Sequence, residues 1–242
     1  MAFIIMDMYS DSLKRNVSLT AILPSDIPEK KKINNPHYNR SLKTLYLLHG
    51  VEGSCFDWPL RSNLAEIAYK YNLAIFAPSA ENIPYLDGEG IDRKYGQFIG
   101  KELVEKTRSM FNLSNKREDT FIAGASMGGR GALINGLMNV DTFNKIGSFA
   151  GAALSESTSK YNKQTIDFND VIKDIKINHK ENLTNIRIFV GKDDPGYHKC
   201  VKMAELCQEN NLHIKFEEAE GSHNWACWNA DVENMIKFFV EE

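Results

Sequence analysis

Short apolar runs recur along this chain and alternate with longer stretches whose apolar residues fall at helical spacing. Eight of the runs have the length and composition of β-strands. They cover residues 3–8, 17–23, 44–48, 73–76, 120–123, 146–149, 186–190 and 214–216. The five runs between residues 44 and 190 are almost entirely apolar, which is typical of strands buried on both faces of a parallel sheet.

The stretches between the runs predict helices, because apolar residues three and four positions apart share one helical face. They cover residues 62–71, 98–111, 129–140, 200–210 and 232–240. Strands that alternate with helices predict the α/β class, with one mostly parallel, eight-stranded sheet and helices on both of its faces. Ligands of such sheets bind at the carboxyl ends of the strands.

The segment 155–185 departs from this regular pattern, because it is long and polar and lies between two predicted core strands. A short helix is predicted within it, over residues 168–175. Loops of this length are often functional, so we expect either a small lid or substrate wall, or a surface excursion without substrate contact. With no repeat or second domain in evidence, residues 1–242 are predicted to form a single domain.

The bulk composition changes this picture little. Of the 242 residues 43% are hydrophobic, and the formal net charge is −3. So weak a charge gives no reason to expect nucleic acid or an anionic membrane as a partner, and it favours a small neutral substrate. A homo-oligomer is left open.

The beginning of the chain and its cysteines predict a compartment. The apolar start is short and interrupted by Asp7, which is untypical of a signal peptide, and no run is long enough to cross a bilayer. The four cysteines lack CxxC spacing and are expected to be free thiols. These features predict the cytoplasm.

The strand predicted at 120–123 leads into Gly-Ala-Ser-Met-Gly at 124–128, and a helix follows. This is the pattern of a nucleophile elbow, in which a tight strand-to-helix turn presents a serine hydroxyl, here that of Ser126. The pattern alone is weak, but the strand at 44–48 also ends in His49–Gly50. A serine hydrolase places half of its oxyanion hole after such a strand, so His49 is expected to shape that loop.

Two later strands end in candidate partners for the serine. The run 186–190 is followed by Asp193 and Asp194, and the run 214–216 is followed by His223. The order serine, aspartate, histidine along the chain is that of the α/β-hydrolase fold. A neutral imidazole can accept the proton of the serine hydroxyl, and a carboxylate can orient that imidazole.

The acid remains a choice between two neighbours, whose side chains should point in different directions. Asp194 is favoured because Pro195 follows it and biases its backbone towards an extended conformation. Asp193 would then be a solvated loop charge.

Further motifs extend over nearly the whole chain: LYLLHGVEGSCFDW, PYLDG, FIGKELV, GASMGGRGAL and GSHNWACW. With them the chain resembles the esterase D and tributyrin esterase group of α/β-hydrolases, which includes S-formylglutathione hydrolases, acetyl esterases and feruloyl esterases. The resemblance implies a minimal lid and cofactor-free hydrolysis of carboxylic esters through an acyl-enzyme. It also implies Ser126 as nucleophile, His223 as base, Asp194 as orienting acid, and the backbone amides of Val51 and Met127 as the oxyanion hole.

The leading hypothesis is a serine carboxylesterase acting on small, short-chain esters of the acetyl type. The alternatives are a feruloyl esterase on plant-wall fragments, an S-formylglutathione thioesterase, an acyltransferase, and a binding protein on a retired hydrolase fold, that is, one that has lost its activity.

Arg130 replaces the tyrosine that many members of the group carry after SMGG, and this difference concerns which substrate is bound. Trp225 and Trp228 are candidates for substrate contact, with core packing as the alternative. No pair of histidines has ligand spacing, so neither a metal nor another cofactor is expected.

Overall fold

The computed structural model describes residues 1–153, 168–178 and 184–241. Every predicted strand is present. The strands are β1 (Ala2–Ser10), β2 (Arg15–Leu23), β3 (Lys43–Leu48), β4 (Leu73–Pro78), β5 (Thr120–Ala125), β6 (Lys145–Phe149), β7 (Asn185–Gly191) and β8 (Ile214–Ala219). The helices are α1 (Glu29–Lys32), α2 (Asp57–Arg61), α3 (Leu64–Tyr71), α4 (Tyr95–Gln97), α5 (Leu103–Met110), α6 (Met127–Met138), α7 (Phe168–Asn178), α8 (Tyr197–Glu209) and α9 (Trp225–Val240).

All eight strands form one sheet in the order β1-β2-β4-β3-β5-β6-β7-β8. The pairs β1·β2 and β2·β4 are antiparallel, and every other pair is parallel. The prediction of a mostly parallel, eight-stranded sheet is therefore confirmed. Because β3, β5, β7 and β8 run in the same direction, the loops at their carboxyl ends meet at one edge of the sheet.

Helices cover both faces of the sheet. Successive side chains along each strand point to opposite faces, so each strand contributes side chains to the core on both sides of the sheet. In β3, Tyr46 and Leu48 pack with α5, α6, α7 and α8 on one face, whereas Leu45 and Leu47 pack with α3 and α9 on the other. All four side chains are buried. The near-continuous apolar runs of the sequence therefore reflect a sheet with no solvated face in its centre.

Several helices begin earlier than the apolar pattern predicted. α9 begins at Trp225 instead of residue 232, because the side chain of Asn224 accepts a hydrogen bond from the Cys227 amide and caps the helix. The predicted helix at 98–111 is divided into a π-helical turn, Phe98–Glu102, and α5. α2 was not predicted, since five residues are too few to show helical periodicity.

Helix α7 confirms the short helix predicted at 168–175. Its buried Phe168, Ile172 and Ile175 join the core, and the helix packs against α6. The other residues of the proposed lid, 155–167 and 179–183, lie outside the described residues, so a role for 155–185 over the active site stays a prediction.

Glu102, in the π-helical turn, attaches the edge hairpin, which is formed by β1 and β2, to the rest of the fold. Its carboxylate accepts hydrogen bonds from the Ser10 hydroxyl at 2.8 Å and from the amides of Asp11 and Ser12 at 2.6 and 2.9 Å. The ammonium of Lys106 lies 3.0 Å away. Burial raises the pKa of Glu102, but the hydrogen bonds from Ser12, Lys106 and Ser10 outweigh it and lower the pKa to about 2.

None of the helices in the described part of the chain combines the length and the apolar character needed to cross a bilayer.

Candidate active site

Ser126 lies on the sharp turn between β5 and α6, and its backbone is strained. Its φ of 56° and ψ of −117° are rare for a residue with a side chain. The turn is possible because the flanking backbones touch: a β-carbon on Gly124 would lie 2.4 Å from the carbonyl carbon of Gly128, and one on Gly128 would lie 2.4 Å from the Leu48 oxygen. Only glycine fits at either position, and the turn projects the serine from the edge of the sheet.

His223 reaches Ser126 from the turn after β8. The Gly221 carbonyl in this turn accepts a hydrogen bond from the Asp193 amide at 2.9 Å, which holds the loops after β7 and β8 together. The Nε2 atom of His223 lies 2.8 Å from the Ser126 Oγ atom, and its Nδ1 atom lies 2.7 Å from the Oδ2 atom of Asp194. The structure thus brings together the three residues that the sequence selected from three separate strands.

Asp194 is held by both of its carboxylate oxygens. Oδ1 accepts a hydrogen bond from the Gly196 amide at 2.7 Å, while Oδ2 faces His223. Since an ionised carboxylate can only accept, Nδ1 of His223 carries the proton, and Nε2 is left to accept the Ser126 hydroxyl proton. Asp194 is buried whereas the neighbouring Asp193 is exposed, which places Asp194 and not Asp193 against the histidine.

His49 is buried behind the loop that follows β3 and forms two hydrogen bonds there. Its Nε2 atom accepts the Ala80 amide proton at 2.9 Å, so Nδ1 is the donor to the Gly50 carbonyl at 2.7 Å. Burial lowers the pKa of His49, partly offset by the hydrogen bond to Gly50. A neutral imidazole therefore fixes this loop, as expected from the sequence.

The backbone around Val51 and Met127 lies close to the serine. A β-carbon on Gly50 would be 3.5 Å from the Ser126 β-carbon, so the residue that follows Gly50, Val51, is close to the elbow. Met127 is the first residue of α6, where backbone N–H groups have no acceptor within the helix. Val51 and Met127 thus lie beside Ser126, and their role as oxyanion donors stays a prediction.

Asn82, Ala80 and Tyr85 were not singled out from the sequence, yet all three hold the loop after β3. The Asn82 Oδ1 atom accepts the Glu52 amide proton at 2.6 Å, and the Tyr85 hydroxyl donates to the His49 carbonyl at 2.9 Å. The PYLDG motif marked this region, but its pairing with residues thirty or more positions away is a tertiary contact without a local sequence signal.

The tryptophans form a cluster behind the histidine. Trp228 is buried, and its ring meets His223 edge to face with 5.2 Å between ring centroids. Trp225 packs 5.2 Å from Trp228 and 4.9 Å from Trp58, whose indole N–H donates to the Leu48 carbonyl. The contacts of Trp225 and Trp228 are therefore those of packing, the alternative that the sequence left open.

A cavity of about 450 Å³ opens beside the serine. It is lined by Ser126, Met127, Arg130, Ala150, Gly151, Ala152, Gly196, Lys199, Cys200 and Lys202. Its walls come from the beginning of α6, the segment after β6 and the beginning of α8, and neither Trp225 nor Trp228 belongs to them.

A larger cavity of about 730 Å³ near Glu102 contains none of the predicted site residues. In residues 1–153, 168–178 and 184–241, no group of three His, Cys, Asp or Glu side chains is arranged to hold a metal ion.

Comparison with known proteins shows the family to which this chain belongs. The model of the Esterase family matches residues 10–239, which is most of the chain. The chain belongs to the Esterase family. As a member, it is a serine esterase, and the alternative of a binding protein on a retired fold is set aside.

Individual relatives of this esterase extend along its full length. An acetyl esterase of Caldicellulosiruptor saccharolyticus is 35% identical over 261 aligned residues, which cover 98% of each chain. Among solved structures, the serine hydrolase FphF of Staphylococcus aureus is 24% identical with a TM-score of 0.84, covering 100% of this chain and 99% of its own. An S-formylglutathione hydrolase of the same organism is 24% identical with a TM-score of 0.79, covering 99% of each chain. The two structures show that this chain has the α/β-hydrolase fold.

Proposed function

We propose that this esterase hydrolyses short-chain acyl esters, of which acetyl esters are the best substrates, through an acyl-enzyme on Ser126. The observation that carries the proposal is the continuous line of contacts from Asp194 through His223 to Ser126, with heavy-atom distances of 2.7 and 2.8 Å. Both distances are those of hydrogen bonds ready for proton transfer. The acetyl preference is supported by the acetyl esterase that is 35% identical over 98% of this chain.

Acylation begins at the Ser126 hydroxyl. As its oxygen attacks the ester carbonyl carbon, His223 Nε2 takes the proton, and Asp194 stabilises the imidazolium that forms. The negative charge that develops on the carbonyl oxygen is stabilised by the amides of Val51 and Met127, each worth roughly 2.7 to 4 kcal/mol in comparable sites. His223 then returns the proton to the departing alcohol oxygen, and the acyl group remains on Ser126.

Deacylation repeats the same steps with water as the nucleophile. His223 accepts a proton from the water, which attacks the acyl carbonyl, and then protonates Ser126 Oγ as the carboxylic acid leaves. The edge-to-face contact of Trp228 with His223 supports the imidazole ring through both half-reactions. We assign Trp228 this positioning role in place of substrate contact.

Initial rates on the p-nitrophenyl esters of acetate, butyrate, octanoate and ferulate test the proposal. We expect the highest kcat/KM for acetate or butyrate, and a loss of at least about a thousandfold in kcat for Ser126→Ala, as for a triad nucleophile. A preference for ferulate would instead support a feruloyl esterase, and S-formylglutathione assayed alongside tests the thioesterase. Ester formation with an added alcohol would point to an acyltransferase, and equal rates for Ser126→Ala and the parent would overturn the assignment of the nucleophile.

We further propose that the protein acts in the cytoplasm. The four cysteines Cys55, Cys200, Cys207 and Cys227 are buried free thiols, a state that a reducing compartment preserves. Fractionation of the source cells with an antibody to the protein would decide this, and recovery outside the cytoplasm would contradict it.

A further inference from the structure

Three cations lie on the wall of the active-site cavity. Arg130 comes from α6, and Lys199 and Lys202 come from α8. The two lysines are three residues apart, so they extend from one face of their helix. Among the described residues that line this cavity none is acidic. The wall beside Ser126 is therefore positively charged.

Within the described parts of the chain, no carboxylate forms an ion pair with either of the two lysines. Both side chains are exposed, and neither forms an ion pair or a hydrogen bond with any residue in the described ranges. Lys192, in the turn after β7, behaves differently and donates to Glu220 at 2.9 Å. Asp194 lies nearby in sequence, but its oxygens are occupied by His223 and Gly196. Lys199 and Lys202 are thus available to a bound ligand.

Among the described residues of this wall, no other group introduces a negative charge. Burial raises the pKa of Cys200 to about 12, assisted by the nearby Asp194, so its thiol is neutral at physiological pH. The chain as a whole carries a formal charge of −3. A cationic wall inside a concave site of an acidic protein focuses the local potential on the bound substrate, whatever the sign of the net charge.

We propose that this esterase prefers esters that carry a carboxylate, which Lys199 and Lys202 bind while the ester carbonyl lies at Ser126. The inference rests on the proposed function, since it needs Ser126 as the nucleophile, and it replaces the small neutral substrate that the net charge favoured. The carboxylate belongs either to the acyl group or to the leaving group, and the experiment separates these two cases.

Two matched pairs of substrates test the proposal. In the first pair the acyl group carries the charge: the p-nitrophenyl monoester of adipic acid is compared with its methyl ester. In the second pair the leaving group carries it: acetoxyphenylpropionate is compared with its methyl ester. For one of the two pairs we expect kcat/KM to be about ten times higher for the acid than for its methyl ester. This ratio corresponds to about 1.4 kcal/mol.

A double variant then assigns the preference to the lysines. Lys199→Gln/Lys202→Gln should lower this ratio to about one, because each exposed ion pair contributes a few-fold to binding. The matched control is Lys30→Gln/Lys31→Gln, which changes the net charge equally on the surface helix α1 and should keep the ratio. Salt at about 1 M should lower the ratio of the parent enzyme, since it shortens the Debye length to about 3 Å.

The outcomes separate this inference from the proposed function. If the parent enzyme hydrolyses the neutral esters as fast as the acids, the carboxylate preference is wrong while the esterase stands. The same holds if both double variants lower the ratio equally, because the effect would then come from net charge. If the parent hydrolyses none of the four esters and none of the p-nitrophenyl panel, the proposed function itself fails.

Discussion

Two carboxylates, Asp193 and Asp194, follow β7. They are adjacent in the chain but have different surroundings. Asp194 is 5% exposed and uses both oxygens, towards His223 and the Gly196 amide, whereas Asp193 is exposed to solvent. The sequence favoured Asp194 through the proline that follows it. It could not show the burial, which depends on α8 and on the turn after β8.

Exchange of each carboxylate for its amide tests this difference. Asp194→Asn should lower kcat on p-nitrophenyl acetate by about 10⁴, because an amide no longer holds His223 in the tautomer that accepts the serine proton. Asp193→Asn, the matched control, should stay within about twofold of the parent, as expected for a solvated surface charge. The measurement is kcat at saturating substrate, and a large loss in Asp193→Asn alone would transfer the role to that residue.

At the scale of elements, the π-helical turn and the edge hairpin are joined by one side chain. Glu102 accepts hydrogen bonds from Ser10 at the end of β1 and from Asp11 and Ser12 in the turn that follows it. The sequence predicted the two strands of the hairpin, but it placed residue 102 inside an ordinary helix. The contact was missed because it joins positions about ninety residues apart.

Acid should weaken this attachment in a defined range of pH. The pKa of Glu102 is about 2 in the folded protein against an ordinary value of 4.5, so between these values the unfolded chain binds more protons than the folded one. The stability that Glu102 contributes, about 3 kcal/mol for such a difference in pKa, is complete above pH 4.5 and is lost as the pH falls to 2.

The variant Glu102→Gln checks this expectation in urea unfolding curves recorded from pH 7 to pH 2. Its free energy of unfolding should be lower than that of the parent by about 2 kcal/mol at pH 7, because three charge-assisted hydrogen bonds are weakened. The difference should vanish towards pH 2. Glu105→Gln, an exposed neighbour on α5, serves as the control and should follow the parent. A constant difference at all pH values would contradict the titration of Glu102.

At the scale of the whole molecule, the proposed site depends on the sheet remaining intact. Ser126, Asp194 and His223 follow β5, β7 and β8, strands that are linked through β6. The tryptophan cluster connects His223 to the core, since Trp228 touches the histidine and Trp58 donates to the carbonyl at the end of β3. Neither the site nor the cluster can form from one part of the sheet alone.

We therefore expect activity and tryptophan fluorescence to be lost together in urea. The midpoints of the two transitions should agree, because the fluorescent side chains and the catalytic histidine belong to one packed unit. Rates on p-nitrophenyl acetate and emission spectra, measured on the same equilibrated samples, provide the comparison. Activity that disappears at a clearly lower urea concentration would show that the loops after β7 and β8 open separately from the sheet.

The sequence by itself determined the strands, their assembly into an α/β sheet, the elbow at Ser126 and the choice of His223. Each of these depends on local information: the periodicity of apolar residues, the turn-forming glycines, and the order in which strands end. The tertiary structure alone decided that Asp194 is the buried carboxylate, that His49 is locked by the Ala80 amide, and that lysines of α8 face the same cavity as Ser126. These features arise from contacts between residues far apart in the chain, and the spacing of residues along a sequence does not specify which distant side chains will meet.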